Sequence, residues 1–225
     1  MNLREPKAIV NPNAKFILAL HSSTENCAIG LIELINSKAI YKSTTFETGR
    51  NLSNHLFNCI EELLPRDLWK QIIRLAVAIG PGGFTGTRLT VIMARTLAQQ
   101  LDCSLDGISS FALMAPRLYK SLNLRNKDKS FWITQPLKHR GIIGGKYQPS
   151  KSEEKSKNDQ FIELISPSLL SSKLNPKPAI SASEDIAIDI ITLLNISLNA
   201  YNNKRVSKWQ NVLPIYPTSP IDNIR

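Results

Sequence analysis

The stretch IGPGGFTGTR, Ile79 to Arg88, gathers the residues of this chain best suited to chemistry. Four glycines and a proline follow the apolar run RLAVAI, and an apolar-periodic segment follows them. In such a strand-to-helix turn, backbone amides and the positive end of a helix can hold phosphate. Gly82, Gly83 and Thr85 are the candidates for phosphate contact. A Walker A loop needs a lysine and a hydroxyl after its last glycine, the cation to neutralise phosphate and the hydroxyl to bind magnesium. Here Gly86 is followed by Thr87 and Arg88. The dinucleotide fingerprint fails too, because counting from Gly80 puts Thr85 where its last glycine belongs. The other reading is packing. Gly82, Gly83 and Gly86 can take positive φ or admit a close neighbour, Pro81 stiffens the exit from the strand, and Thr85 or Thr87 can cap the helix. Both readings stand on these residues, and the spacing favours packing.

Other reactive side chains are scattered. His21, His55 and His139 are isolated from one another. Cys59 lies four residues after His55, so an imidazole and a thiolate could share zinc across one helical turn, but no second pair completes the site. Cys27, Cys59 and Cys103 are odd in number and form no C-x-x-C pair. That argues against a disulfide framework or a zinc centre and for a reducing compartment. The cysteines are expected as small buried apolar side chains, and no catalytic residue or metal ligand is assigned.

The elements that must position the turn follow from periodicity. FILAL (Phe16–Leu20) reads as a buried strand, CAIGLIELI as a second, and KAIYKSTTF as a third reached through Asn36-Ser37. So short a connection makes an antiparallel meander. From Ser53, a plausible N-cap, Leu56, Ile60 and Leu64 fall four apart on a helix that Pro65 stops. RLAVAI is an interior strand, Thr87–Leu101 a helix with Leu89, Met93 and Leu97 aligned, SLDGIS a short strand and Phe111–Tyr119 a helix. The order β-β-β-α-β-α implies a mixed sheet with helices packed on it, the ribonuclease-H-like arrangement.

The second half predicts strands at SFWIT, GIIGGKYQ, FIELI and PAI, and a polar surface loop at Pro149–Gln160. It also predicts a short helix at SPSLLSSKL and a helix from Glu184 to about Asn199 capped by Ser183. Two domains are expected, 14–115 and 116–213, with an irregular tail at 214–225. The charge is uneven: of 28 basic and 18 acidic residues, the last 110 positions hold 17 and 9. Such an excess permits contact with nucleic acid or an acidic protein; without interleaved aromatics a solvated lysine surface is the preferred reading. The first residues lack the apolar core of a secretory signal and no run is long enough to cross a bilayer, so a cytoplasmic protein without membrane contact is expected.

Three blocks in order, FILALHSSTENCAIGLIE, AVAIGPGGFTGTRLTVIMARTLAQQL and GISSFALMA, resemble the TsaB family of tRNA threonylcarbamoyladenosine biosynthesis proteins, also called YeaZ. The resemblance spans about residues 16–116, and VLPIYPTSP near the end adds to it. It implies an α/β chain with the actin/Hsp70-like ATPase fold, two mixed-sheet domains flanked by helices, the second reduced. It also implies a non-catalytic partner of the threonylcarbamoyl transferase TsaD, with a TsaE-like ATPase joining, homodimerisation as another pairing, and tRNA met indirectly. Such proteins pair through helices of the first domain, which here gives Leu56, Phe57, Ile60, Leu89, Ile92 and Met93 as the interface. An all-core reading of these residues is equally compatible with pattern alone.

Departures from the family pattern bear on cofactors. Where the family has approximately LAIDTST, this chain has LALHSST, and His21 replaces the aspartate that would hold magnesium. Imidazole is no substitute for a hard oxygen ligand, so neither Mg–ATP nor another cofactor is expected. Gln135 and Pro136 stand where an acid is common, and Lys138, His139 and Arg140 form a basic corner that could meet RNA. The alternatives are an ATP-binding enzyme of the same fold (a kinase, a carbamoyltransferase or a glycoprotease of the M22 kind, which would need paired histidines) and a tRNA-binding module.

Overall fold

A computed structural model describes residues 14–22, 26–36, 38–122, 130–138, 140–150 and 161–217. The meander forms as its alternation requires. Strands β1 (Lys15–His21), β2 (Asn26–Ile35) and β3 (Lys38–Glu47) pair antiparallel, and Asn36 at φ 47° turns β2 into β3. β4 (Ile72–Ala78) lies parallel to β1, and β5 (Ser104–Ile108) parallel to β4, giving the order β3-β2-β1-β4-β5.

β1 has no polar face because both sides of the sheet are covered. Phe16, Leu18 and Leu20 point toward α1 (Leu52–Leu63) and α2 (Phe84–Leu101). Ile17 and Ala19 point the other way, into the cluster made by Ile190, Leu193 and Leu194 of α4 (Ile186–Asn202). The two-residue period of a strand thus feeds two separate cores. At Gly30 an added Cβ would stand 2.9 Å from both Ile190 and Leu194, so the missing side chain lets α4 settle on the sheet.

The second sheet has the order β8-β7-β6-β9, formed by β6 (Phe131–Leu137), β7 (Gly141–Pro149), β8 (Phe161–Leu169) and β9 (Ala179–Ser181). Helix α3 (Ser110–Ser121) covers one face of it, packing Phe111, Met114 and Leu118 against Phe131, Ile133 and Tyr147. The two halves therefore exchange helices: α3 follows the first sheet and packs on the second, while α4 follows the second and packs on the first. Arg117 on α3 donates to Asp189 on α4 at 3.0 Å and also reaches the Ser183 carbonyl, tying the exchanged pair.

Several local expectations are corrected. Ser53 does not cap α1; Asn51 holds that position after the tight turn Gly49–Asn51, and Leu52 is already buried in the first turn. Helix α2 begins at Phe84 rather than Thr87, with Gly83 as its N-cap. SPSLLSSKL is not a helix: Ser168 and Leu169 continue β8 opposite Gly144 and Ile143. Pro167 is tolerated there because β8 is an edge strand. Ser183 does not cap α4, because Asp185 accepts from the Ile188 amide and Ser183 serves Arg117 instead. The Pro149–Gln160 loop lies outside the described residues from 151 to 160.

Candidate functional site

The glycine turn stands at the carboxyl end of β4, beside the end of β1. Of its glycines only Gly80 takes positive φ, at 95°; Gly82, Gly83 and Gly86 do not, so of the two uses expected of them the first is not realised. Gly86 provides close approach instead. It lies within the first turn of α2, and an added Cβ would stand 3.0 Å from the Ser22 carbonyl oxygen. The Ser22 hydroxyl donates to the Gly86 carbonyl at 2.9 Å and meets the Thr90 hydroxyl at 2.9 Å. Two successive chain ends, that of β1 and that of the turn, are clamped through one serine. Neither Thr85 nor Thr87 caps α2, since the N-cap is Gly83 and no side chain accepts there. Thr87 is 5% exposed, and its hydroxyl has no hydrogen-bond partner among the described residues.

A cavity of about 310 Å³ opens in front of the turn. Pro81, Gly82, Phe84 and Thr87 form one wall, and Gln135, Leu137, Arg140 and Ile143 of the second sheet form another. Pro214 to Pro217 form the third. Gly82 and Thr87 thus meet Gln135 and Arg140 across one space, whereas Gly83 and Thr85 are not part of its lining. Lys138 is described but does not line it either, and His139 lies outside the described residues.

His21 ends β1 at 1% exposure. Burial lowers its pKa to about 4, so the imidazole is neutral at physiological pH. It brings neither the charge nor the oxygen that magnesium requires. The thiol of Cys59 is buried and its pKa raised by that burial, while His55 is exposed. Burial pushes Cys27 up to about 12, leaving it a small apolar side chain.

The six residues assigned to a partner surface divide. Leu56 and Ile60 are 1% and 0% exposed in the core under α1, so they face their own sheet and are not part of an outer surface. Leu89 and Met93 are half-buried against the same core. Phe57 and Ile92 are 43% and 61% exposed on helices that touch each other, and Phe57 also stacks on Trp69 at 6.0 Å. A stripe spaced four apart always splits this way when one helix flank is taken by a sheet.

Two features escaped sequence reasoning. A bidentate ion pair joins Arg74 to Asp106 at 2.7 Å inside the first sheet, and both are nearly fully buried. Ser197, Ser207 and the Arg205 carbonyl complete it. Its signal was available: one basic and one acidic residue interrupt the otherwise apolar strands IIRLAVA and SLDGI. The second is a larger cavity of about 430 Å³ between α3 and α4, floored by Gly107 and Ile108. Near its rim the Ser109 hydroxyl caps α3 and donates to Glu163 at 2.5 Å, where Tyr147 also donates. No sequence spacing announces that cluster, because its members come from three elements.

Comparison with known proteins gives a consistent result. A family model described as TsaD: tRNA N6-adenosine threonylcarbamoyltransferase matches residues 45–129. The chain is 24% identical over 168 residues to the tRNA threonylcarbamoyladenosine biosynthesis protein TsaB of Buchnera aphidicola subsp. Acyrthosiphon pisum (strain APS), covering 72% of this chain and 67% of that protein. It is 33% identical over 105 residues to the protein of the same name from Bacillus subtilis (strain 168), covering 44% and 43%. Among solved structures, YeaZ from Pseudomonas aeruginosa superposes with a TM-score of 0.61 at 18% identity, over 90% of this chain and 99% of that one. A crystal structure of a protein with similarity to peptidase YEAZ from the same organism gives 0.63 at 18% identity, over 91% and 100%. The fold is the actin-like ATPase fold, with two mixed sheets flanked by helices.

Proposed function

We propose that this chain, which is similar to proteins named TsaB, works in tRNA threonylcarbamoyladenosine biosynthesis as a non-catalytic scaffold paired with a TsaD-type transferase. The observation that carries the pairing is the outer flank of α1 and α2. Phe57 and Ile92 are large apolar side chains left in water while their neighbours Leu56 and Ile60 fill the core. Covering the part of these two side chains still exposed returns on the order of 1 kcal/mol each on association. That is enough to orient a helix-on-helix contact.

The scaffold role follows from the chemistry of the cleft. A neutral, buried His21 offers magnesium no carboxylate where the family pattern has one. Mg–ATP is therefore not held at this position, and the reaction belongs to the partner. A TsaE-like ATPase and tRNA would join through the assembled pair, and a homodimer would use the same flank. The phosphate contacts first assigned to Gly82, Gly83 and Thr85 form no part of this role.

The test is co-purification with the TsaD-type protein of the same cell, coupled to measurement of threonylcarbamoyladenosine in tRNA. Phe57→Glu and Ile92→Glu are expected to weaken pairing by about tenfold or more and to lower modification in proportion. Because both sites are exposed, the isolated variants should keep the parental melting temperature within a few degrees. Undiminished pairing in both variants would remove the proposed flank. Tight stoichiometric binding of Mg–ATP by the isolated chain would replace the scaffold with an enzyme.

A further inference from the structure

The third wall of the cavity at the glycine turn is the segment 214–217, and its attachment is specific. Val212 is buried against the first sheet, in the space left by Gly107, where an added Cβ would stand 2.7 Å from it. The Ile215 amide donates to the Ile79 carbonyl at 2.8 Å, at the point where β4 hands over to the turn. The Ile215 carbonyl oxygen in turn lies 3.5 Å from where a Cβ on Gly80 would be. Arg88 on α2 then holds Tyr216. Its guanidinium lies 3.3 Å from the Phe84 ring centroid and 4.6 Å from that of Tyr216, and its Nε donates to the Tyr216 hydroxyl at 2.9 Å.

We propose that residues 212–217 are a strap that closes one side of the space between the lobes in front of the glycine turn, restricting the access of small oxyanions to the amide of Gly82 while it is seated. The groups behind the strap suit an oxyanion. They are the uncapped start of an 18-residue helix, the unpartnered Thr87 hydroxyl, and Gln135 and Arg140 across the cavity. The groups that hold the strap sit on the same helix start, so releasing it widens the cavity at that place. Proline at 214 and 217 limits the conformations the strap explores when released, which lowers the entropy cost of seating it again. This inference concerns the isolated chain and does not rest on pairing with a transferase.

The experiment compares the full chain with Tyr216→Ala and with Ile215→Pro, which removes the amide that bonds Ile79 without touching the ring stack. Amide hydrogen exchange reads whether the strap is seated, and titration with inorganic pyrophosphate reads whether the cavity is open. In the parent, the Ile215 amide is expected to be protected and pyrophosphate to bind weakly. Each variant should exchange about tenfold faster at residues 82–88 and bind pyrophosphate about tenfold more tightly, with β4 exchange unchanged. An Ile215 amide that exchanges in the parent as fast as in a free peptide would overturn the strap. Equal pyrophosphate affinity in parent and variants, including none in any of them, would overturn its role in restricting access.

Discussion

At the residue scale His21 shows how one buried titratable group at the end of a strand ties stability to pH. The imidazole is sealed at the end of β1 and titrates near pH 4 rather than near 6.5. The unfolded chain binds a proton there between those values and the folded chain does not. Its contribution is therefore fully present above pH 6.5 and lost as pH falls toward 4. The full loss is on the order of 3 kcal/mol. Urea unfolding at pH 7.5, 5.5 and 4.5 should show stability falling with acid more steeply in the parent than in His21→Asn. Parallel curves would mean that burial does not hold the imidazole neutral. The buried thiols make a related point: with Cys27 pushed up to about 12, alkylation of the native protein at pH 8 should leave it untouched.

At the scale of elements, the turn, α2 and α4 are placed by close approach rather than by capping. Gly86 admits the Ser22 carbonyl, Gly107 admits Val212 and Gly30 admits Ile190 and Leu194. Gly30→Ala must push α4 away from β2, because a methyl would stand 2.9 Å from two side chains in the core. A loss of about 1–3 kcal/mol is expected, read as a lowered urea midpoint with unchanged slope. A double variant with Leu194→Ala that costs less than the sum of the two single changes would locate the strain at that contact. Helix α2 carries three jobs along its length: Gly86 and Thr90 meet the end of β1, Phe84 and Arg88 hold Tyr216, and Ile92 stands in water. Phe84, Arg88 and Ile92 are spaced four apart and share one flank, while Gly86 and Thr90 lie on the other side of the helix.

At the scale of the whole molecule, the exchanged helices make the two sheets interdependent. The Arg74–Asp106 pair is the polar centre of that arrangement, since it also receives Ser197 from α4 and Ser207 and the Arg205 carbonyl from the segment beyond it. Removing one partner leaves a charge buried without its counter-ion. Arg74→Met is therefore expected to cost about 3–5 kcal/mol, measured by thermal or urea unfolding. Arg74→Met with Asp106→Leu should cost less than Arg74→Met alone, since no unpaired charge remains. The reverse order would mean that the pair contributes chiefly through Asp106 and its serines.

The sequence by itself determined the meander, the helix that follows it, the interior strand and the place of the glycine turn. Each is local: a two-residue or four-residue period, a proline stop or an Asn-Ser connection can be read without knowing what lies opposite. It also carried the resemblance to TsaB proteins, because IGPGGFTGTR is a contiguous block. What it could not determine is which flank of each helix faces inward. Leu56 and Phe57 are adjacent letters of similar hydropathy, and only the sheet beneath α1 makes one core and the other surface. The same holds for the helix predicted at Pro167, where pairing with β7 outweighs local preference. Tyr216 lies 128 positions from Arg88, and no spacing rule relates them. The chain folded back on itself decided that contact, as it decided what borders the space before the glycines, because burial and close approach are properties of neighbours in space.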